Sequence, residues 1–294
     1  MVDENNIFNI PDDTLVTVTQ TNHIYEMQYL EKRNTRNNIK KLSEDRYIVL
    51  STGELKNFNK GLSRYDSKNS LRQTFKKLRY LINNNFVGAR NELFVTLTYA
   101  ENMQDPKRLY SDMDKFIKRL RYHYRNTSKI EYINVVEPQK RGAWHCHMLI
   151  KFVDLKSIFI ENDYMAKLWN QGFVNIRSLS NMSIDNIGAY LTAYLADIPV
   201  DELDDGDRPS VYTVKELKEK KYIKGGRLFL YPKGMNLYRA SRGIKAPERK
   251  IMKFSELKKY VNGATLTYFS KVNISMDDFD NTIIYYYYNL KRPN

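Results

Sequence analysis

The sequence predicts an α+β protein built on a ferredoxin-like split βαβ core, a central antiparallel sheet with helices on its faces. Three observations carry this expectation. Between residues 93 and 176, strand-type and helix-type patterns alternate in the order β-α-β-β-α-β. The two middle strands are joined by Pro138-Gln139-Lys140-Arg141-Gly142, a turn-forming segment that suits a short antiparallel return. Hydrophobic residues make up 42% of the 294 positions and aromatic residues 13%, enough to fill a core at this length.

Residues 1–66 are read as an N-terminal extension, in which Val16, Val18 and Ile24 suggest short strands and residues 34–41 a polar connection. The core domain is placed at 67–250. A helix begins near Ser70, where Leu71, Phe75, Leu78 and Ile82 fall at helical spacing and Arg72, Lys76, Lys77 and Arg79 take the outer side. That basic side is either a DNA contact or a solvated face. Residues 93–99, Leu-Phe-Val-Thr-Leu-Thr-Tyr, read as a buried strand because β-branched and aromatic residues dominate. Asp105-Pro106 opens a helix with an apolar stripe of Leu109, Met113, Phe116, Ile117 and Leu120. Strands at 131–137 and 144–152 follow, then a short helix at 164–169 and a strand at 173–176. A further helix at 184–196 has Ser183 placed to cap it and Pro199 to stop it.

Beyond it, Asp197, Asp201, Glu202, Asp204, Asp205 and Asp207 form an acidic run, the usual signature of a solvated loop. Residues 215–224 are lysine-rich, and Gly225-Gly226-Arg227 starts a strand through Phe229 and Tyr231. Residues 232–294 read as irregular, and 251–294 as a C-terminal extension packing on the core. Its tyrosine run at 285–288 reads as a packed element more than as a base-stacking platform.

Formal net charge is +14, and residues 1–30 contain Asp3, Glu4, Asp12, Asp13 and Glu26 without a lysine or arginine, so the remainder carries +19. Such a surplus favours a polyanionic partner, nucleic acid or an anionic membrane. Membrane is disfavoured: no apolar run reaches the ~18 to 20 residues that span a bilayer, and the acidic start lacks a basic-then-apolar leader pattern. Cys146 is the single cysteine, so no intramolecular disulfide can form, which suits a cytoplasmic location. There is no Gly-x-x-x-x-Gly-Lys-Ser/Thr motif and hence no sign of a built-in helicase motor.

Two of the four histidines, His145 and His147, lie two apart on a predicted strand. Side chains at i and i+2 share a face, so both imidazoles can reach one ion while Trp144, Cys146 and Met148 point away. Cys146 then reads as a small buried apolar residue. Glu137 ends the preceding strand, and the return through Gly142 can bring its carboxylate beside the imidazoles. Two nitrogens and one carboxylate with open positions suit Mg2+ or Mn2+ acting on a phosphate better than a closed zinc site. Tyr190 and Tyr194, four apart on a predicted helix, share one face. Among 23 tyrosines they are either core aromatics or, beside a metal site, nucleophiles.

With these residues in order, the sequence resembles the HUH endonucleases, and within them the rolling-circle replication initiators of Gram-positive plasmids, mobile elements and phages. The resemblance rests on residues 94–99, on Glu137 through His147 and on the Tyr190/Tyr194 helix. Residues 224–227 and 238–245 also look like the C-terminal part of such initiators, so that it spans about 70–250. It implies that Glu137, His145 and His147 bind the divalent ion and that Tyr190 attacks at the origin nick, becoming linked to the 5′ phosphate. Tyr194 would serve a second strand transfer. Implied partners are single-stranded or hairpin origin DNA, with host helicase and DNA polymerase acting in trans. Many relatives place a lysine three residues after a catalytic tyrosine; here those positions are Ala193 and Asp197. The charge must come from Lys215, Lys218 or the metal itself. A relaxase or single-strand transposase would use the same residues, and a non-catalytic single-strand-binding module would need only the sheet.

Overall fold

The computed structural model describes residues 10–33, 38–43, 45–58, 68–139, 142–182, 186–196, 198–199, 214–217, 220–223, 231–232, 234–276 and 279–293. The chain divides into two compact units: an end unit of Met1–Lys60 with Pro247–Asn294, and a central unit of Gly61–Ala246.

In chain order the first segment carries β1 (Leu15–Thr21), β2 (Ile24–Leu30), β3 (Ile39–Lys41), β4 (Arg46–Val49) and β5 (Leu55–Asn57). The central unit begins with α1 (Lys68–Asn85), β6 (Glu92–Thr98), α2 (Pro106–Tyr124), β7 (Ile130–Pro138), β8 (Trp144–Phe152), α3 (Asn162–Trp169) and β9 (Val174–Ser178). It continues through α4 (Ile187–Ala196), β10 (Ile198–Pro199), β11 (Val214–Leu217), β12 (Lys220–Ile223) and β13 (Tyr238–Ala240). The end unit resumes with β14 (Arg249–Lys253), α5 (Phe254–Tyr260), β15 (Ala264–Met276) and β16 (Phe279–Pro293).

The central sheet has the order β13-β7-β8-β6-β9, and every neighbouring pair is antiparallel. β8 lies between β6 and β7, so the β6-α2-β7 connection skips a strand. Side-chain alternation then sorts the residues onto two faces. Val95, Leu97, Val136, Cys146, Met148 and Ile150 share one core with Leu109, Phe116 and Leu120 of α2 and with Met165 and Trp169 of α3. Ile133, Val135 and Leu149 share the other with Leu78, Leu81 and Ile82 of α1 and with Ile187 and Leu191 of α4. The α+β class follows directly from this layering.

Helix α2 starts as its sequence predicts: Asp105 accepts the Lys107 backbone N–H at 2.8 Å and Pro106 occupies the first turn. α4 starts later than predicted. Ser183 lies outside the described residues, and Asn186 takes the capping role, accepting the Ala189 N–H at 2.9 Å. Asn186 is itself held by Asn83 of α1 at 2.8 Å, and Asn83 also accepts the Gly188 N–H at 2.8 Å. A Cβ at Gly188 would sit 2.6 Å from the Arg79 carbonyl, so glycine is what lets α4 approach α1. Within the lysine-rich stretch, β11 and β12 pair antiparallel in a small sheet with β10. Asp197, the acidic residues at 201–207 and residues 224–230 lie outside the described residues.

The expectation of irregular structure over 232–294 holds for 241–248 but not for β13 or for the described residues from 249 onward. β14, β15 and β16 join β1 and β2 in a five-stranded antiparallel sheet ordered β14-β1-β2-β16-β15, and α5 is part of the same unit. The two end segments, read from sequence as separate extensions, thus pair with each other. Alternation splits the tyrosine run: Tyr286 and Tyr288 enter a core with Val16, Val18, Met27 and Leu257, while Tyr285 and Tyr287 take the opposite face. Burial pushes the phenols of Tyr286 and Tyr288 up from their ordinary value. Asn281 fixes the register by bonding both the N–H (2.9 Å) and the carbonyl (3.0 Å) of Lys32. β3, β4 and β5 form a separate three-stranded sheet.

Candidate metal centre and tyrosine helix

The β7-β8 turn determines which side chains meet. Gln139 N–H donates to the Ala143 carbonyl at 2.8 Å and Gly142 N–H to the Gln139 carbonyl at 2.8 Å, closing a tight return. This sets Glu137 directly opposite His145, with His147 one pleat further along facing Val135. All three side chains project to the face that α1 and α4 cover lower down. Cys146 projects to the other face, wholly buried in the α2/α3 core, where burial pushes its thiol up and away from metal-binding thiolate character.

Glu137 and His147 are both buried, and Glu137 Oε2 lies 2.6 Å from His147 Nε2. A carboxylate accepts, so Nε2 is the donor in this contact, and Nδ1 pairs with the Thr96 hydroxyl at 3.2 Å. Phe94 stacks on the same imidazole, with centroids 5.6 Å apart and planes 7° from parallel. His147 is therefore clamped on three sides. The His145 ring is half-buried, 6.3 Å from that of His147 and turned 82° to it. Two imidazoles and a carboxylate on one face fit a divalent ion by donor chemistry. As arranged, the carboxylate faces Nε2 directly, and among the described residues no three His, Cys, Asp or Glu side chains converge as a metal cluster.

Tyr190 lies on α4, 43% exposed, on the helix whose Ile187 and Leu191 pack beside Val135 and Leu149. The helix and the Glu-His-His group therefore belong to one face of the sheet. The side chains of Tyr194 and Lys215, and Lys218 altogether, lie outside the described residues. Sequence reasoning assigned no role to Thr96 or Phe94, although both stand in phase with the histidine face of the neighbouring strand. The segment 238–245 anchors the sheet: β13 pairs with β7, and Glu131 accepts Ser241 Oγ at 2.5 Å and the Gly243 N–H at 3.1 Å.

Other buried carboxylates have different partners. Glu92 Oε2 accepts three backbone N–H groups, from Val87, Gly88 and Ala89, at 2.9 to 3.1 Å, and Oε1 lies 3.1 Å from Lys151 Nζ. Burial pushes Glu131 up, but Lys129, Ser241 and the Gly243 N–H outweigh it and hold the carboxyl below its ordinary value. No helix among the described residues is long and apolar enough to cross a membrane.

Residues 92–198 match a family model of replication-associated proteins of the ORF2 type. The match covers roughly a third of the chain and contains β6 through α4, hence Glu137, His145, His147, Tyr190 and Tyr194. No curated protein and no solved structure gives a significant match.

Proposed function

We propose that this chain initiates rolling-circle replication as a metal-dependent, site-specific single-strand endonuclease and strand transferase. The supporting observation is the Glu137-His145-His147 face, held by β7 and β8 within the segment that matches a replication-associated family. The βαββαβ order with β8 between β6 and β7 supports the ferredoxin-like core of the HUH endonucleases as the fold that carries it.

Glu137, His145 and His147 would hold Mg2+ or Mn2+, which supplies Lewis-acid polarisation of a phosphate oxygen. Phe94 and Thr96 orient the His147 ring; for Nε2 to serve as a ligand its proton must leave, and the Nδ1 proton would then be donated to the Thr96 hydroxyl oxygen, which holds the ring in that tautomer. Tyr190 provides the nucleophile: its phenolic oxygen bonds to phosphorus as the phosphorus–O3′ bond breaks. The tyrosine proton passes to solvent or a base, and the departing 3′ oxygen ends as a hydroxyl that can prime synthesis. Helicase and polymerase functions come from the host.

The test incubates the protein with labelled single-stranded oligonucleotides covering the DNA that flanks its gene, with Mn2+ or with EDTA. A nick and a protein-linked 5′ fragment that disappear in EDTA and in His147→Ala are expected. Tyr190→Phe should lose the adduct; adduct retained there and lost in Tyr194→Phe would exchange the roles of the two tyrosines. Folded parent protein that forms no adduct on any flanking strand would overturn the enzymatic reading.

A further inference from the structure

Edge strand β9 extends the face of the candidate metal centre. Its register with β6 sets Thr96 against Asn175 and Phe94 against Arg177, and the Thr98 N–H continues it by donating to the Phe173 carbonyl at 2.9 Å. Thr98 is opposite His145, and His145 opposite Glu137. Residues paired in this way project to the same face. Phe173, Thr98, His145 and Glu137 thus form one row across the sheet, with Asn175-Thr96-His147 as the next. At ~4.8 Å between strands, Phe173 lies about 10 Å from His145 measured between Cα atoms.

Phe173 is 73% exposed, and Asn175 and Arg177 are exposed beside it. One exposed phenylalanine is ordinary. This one is held in place by its surroundings. The chain leaves α3 through Asn170 in the left-handed region, then passes so close to β6 that a Cβ on Gly172 would lie 2.4 Å from Ala100 N and 2.5 Å from the Thr98 carbonyl oxygen. Gly172, at φ +154°, is therefore required to bring Phe173 into the row. Further along, the outward N–H of Ile176 is taken by Asn162 Oδ1 at 2.9 Å, so at that point the edge is closed to an added strand. What β9 offers on this face is a column of side chains: an aromatic ring, an amide and a guanidinium.

We propose that Phe173, Asn175 and Arg177 form a track for single-stranded DNA leading to the Glu137-His145-His147 site, an inference that takes its purpose from the nuclease reading. Phe173 stacks on a base next to the attacked phosphate, Asn175 bonds a base edge and Arg177 takes a backbone phosphate. A duplex cannot use the ring, because its bases are already stacked on one another. The 32 Lys and Arg against 20 Asp and Glu in the central unit make an anionic strand the matching occupant.

The experiment measures anisotropy of a fluorescein-labelled oligothymidylate, and of a duplex of equal length, with the full chain in EDTA. Phe173→Ala should weaken single-strand binding about tenfold and leave duplex binding unchanged, while Phe173→Trp restores it. Arg177→Ala should weaken binding and reduce the slope of log affinity against log salt by about 0.7. Because these side chains are exposed, melting curves should match the parent. Unchanged affinity in Phe173→Ala, or equal loss for single strand and duplex, overturns the track. The adduct assay separates the two ideas: a parent that forms adduct while Phe173→Ala binds normally removes the track alone. A parent without adduct whose variants lose binding removes the nuclease reading alone.

Discussion

The central and end units each rest on a five-stranded antiparallel sheet, yet they handle charge differently. The central unit holds 32 Lys and Arg against 20 Asp and Glu, net +12; the end unit holds 16 against 14, net +2. The central unit also buries Glu92, Asp112, Glu131 and Glu137, whereas Glu26 is the one buried carboxylate among the described residues of the end unit. Burying a carboxylate costs several kcal/mol unless partners replace water, so the partners show what each is for. Glu92 and Glu131 are held by backbone N–H groups and lysines, which tie a loop and the β13 segment in place. Glu137 faces an imidazole on the next strand. Two structural anchors and the carboxylate proposed as a metal ligand therefore stand in the same sheet with different donors around them.

That distinction can be broken experimentally. The largest effect expected is from His145→Ala, which should lower metal-dependent adduct formation by at least about 100-fold while leaving the melting temperature close to the parent's, since the ring is only half-buried. A matching loss of stability would make His145 a packing residue. Glu92→Ala should do the opposite. It orphans three N–H groups and costs about 3 kcal/mol in urea unfolding, with adduct formation per folded molecule unchanged.

Smaller effects sharpen the picture. Thr96→Val keeps the shape of the strand but removes the hydroxyl that holds His147 Nδ1. Mn2+ affinity by titration calorimetry should fall about tenfold, and stability by less than about 1 kcal/mol; unaltered affinity would deny Thr96 its orienting role. The smallest is a pH effect at Glu131. Its folded value lies below the unfolded one, near about 4.3, so its stabilisation is complete above that value and is lost as pH falls through the folded value. Acid melting profiles of Glu131→Gln should therefore drop less steeply than the parent's below about pH 4; identical profiles would mean that the carboxylate is not held as its partners suggest.

The elements from β6 to β9 were legible because each carries its own period. Leu93, Val95 and Leu97 alternate, the apolar positions of α2 recur at helical spacing, and Asp105-Pro106 marks a start. The Glu137, His145 and His147 face was legible for the same reason, since alternation and one short turn determine it. Pairing at long range left no such local trace. Tyr285–Tyr288 read from sequence as a packed run rather than a stacking surface, but only β2, far away in sequence, divides them between two faces. Phe173 was visible as the start of a strand, but only its pairing beside Thr98 shows which face it occupies. The Asn186 cap of α4 is held by Asn83 on another helix, a tie at long range that leaves no local trace in the sequence.

The pairing of β2 with β16 also has a consequence for synthesis. These strands are adjacent in space, yet Leu30 meets Ile283 only after the whole of the central unit has intervened in the chain. A ribosome releases Gly61–Ala246 before it has made β16, so the central unit can complete its own sheet while β1 and β2 wait without their neighbour. During that interval the edge of β2 is open to other nascent chains. A premature stop before residue 279 would make the interval permanent, leaving a folded central unit attached to an aggregation-prone half-sheet.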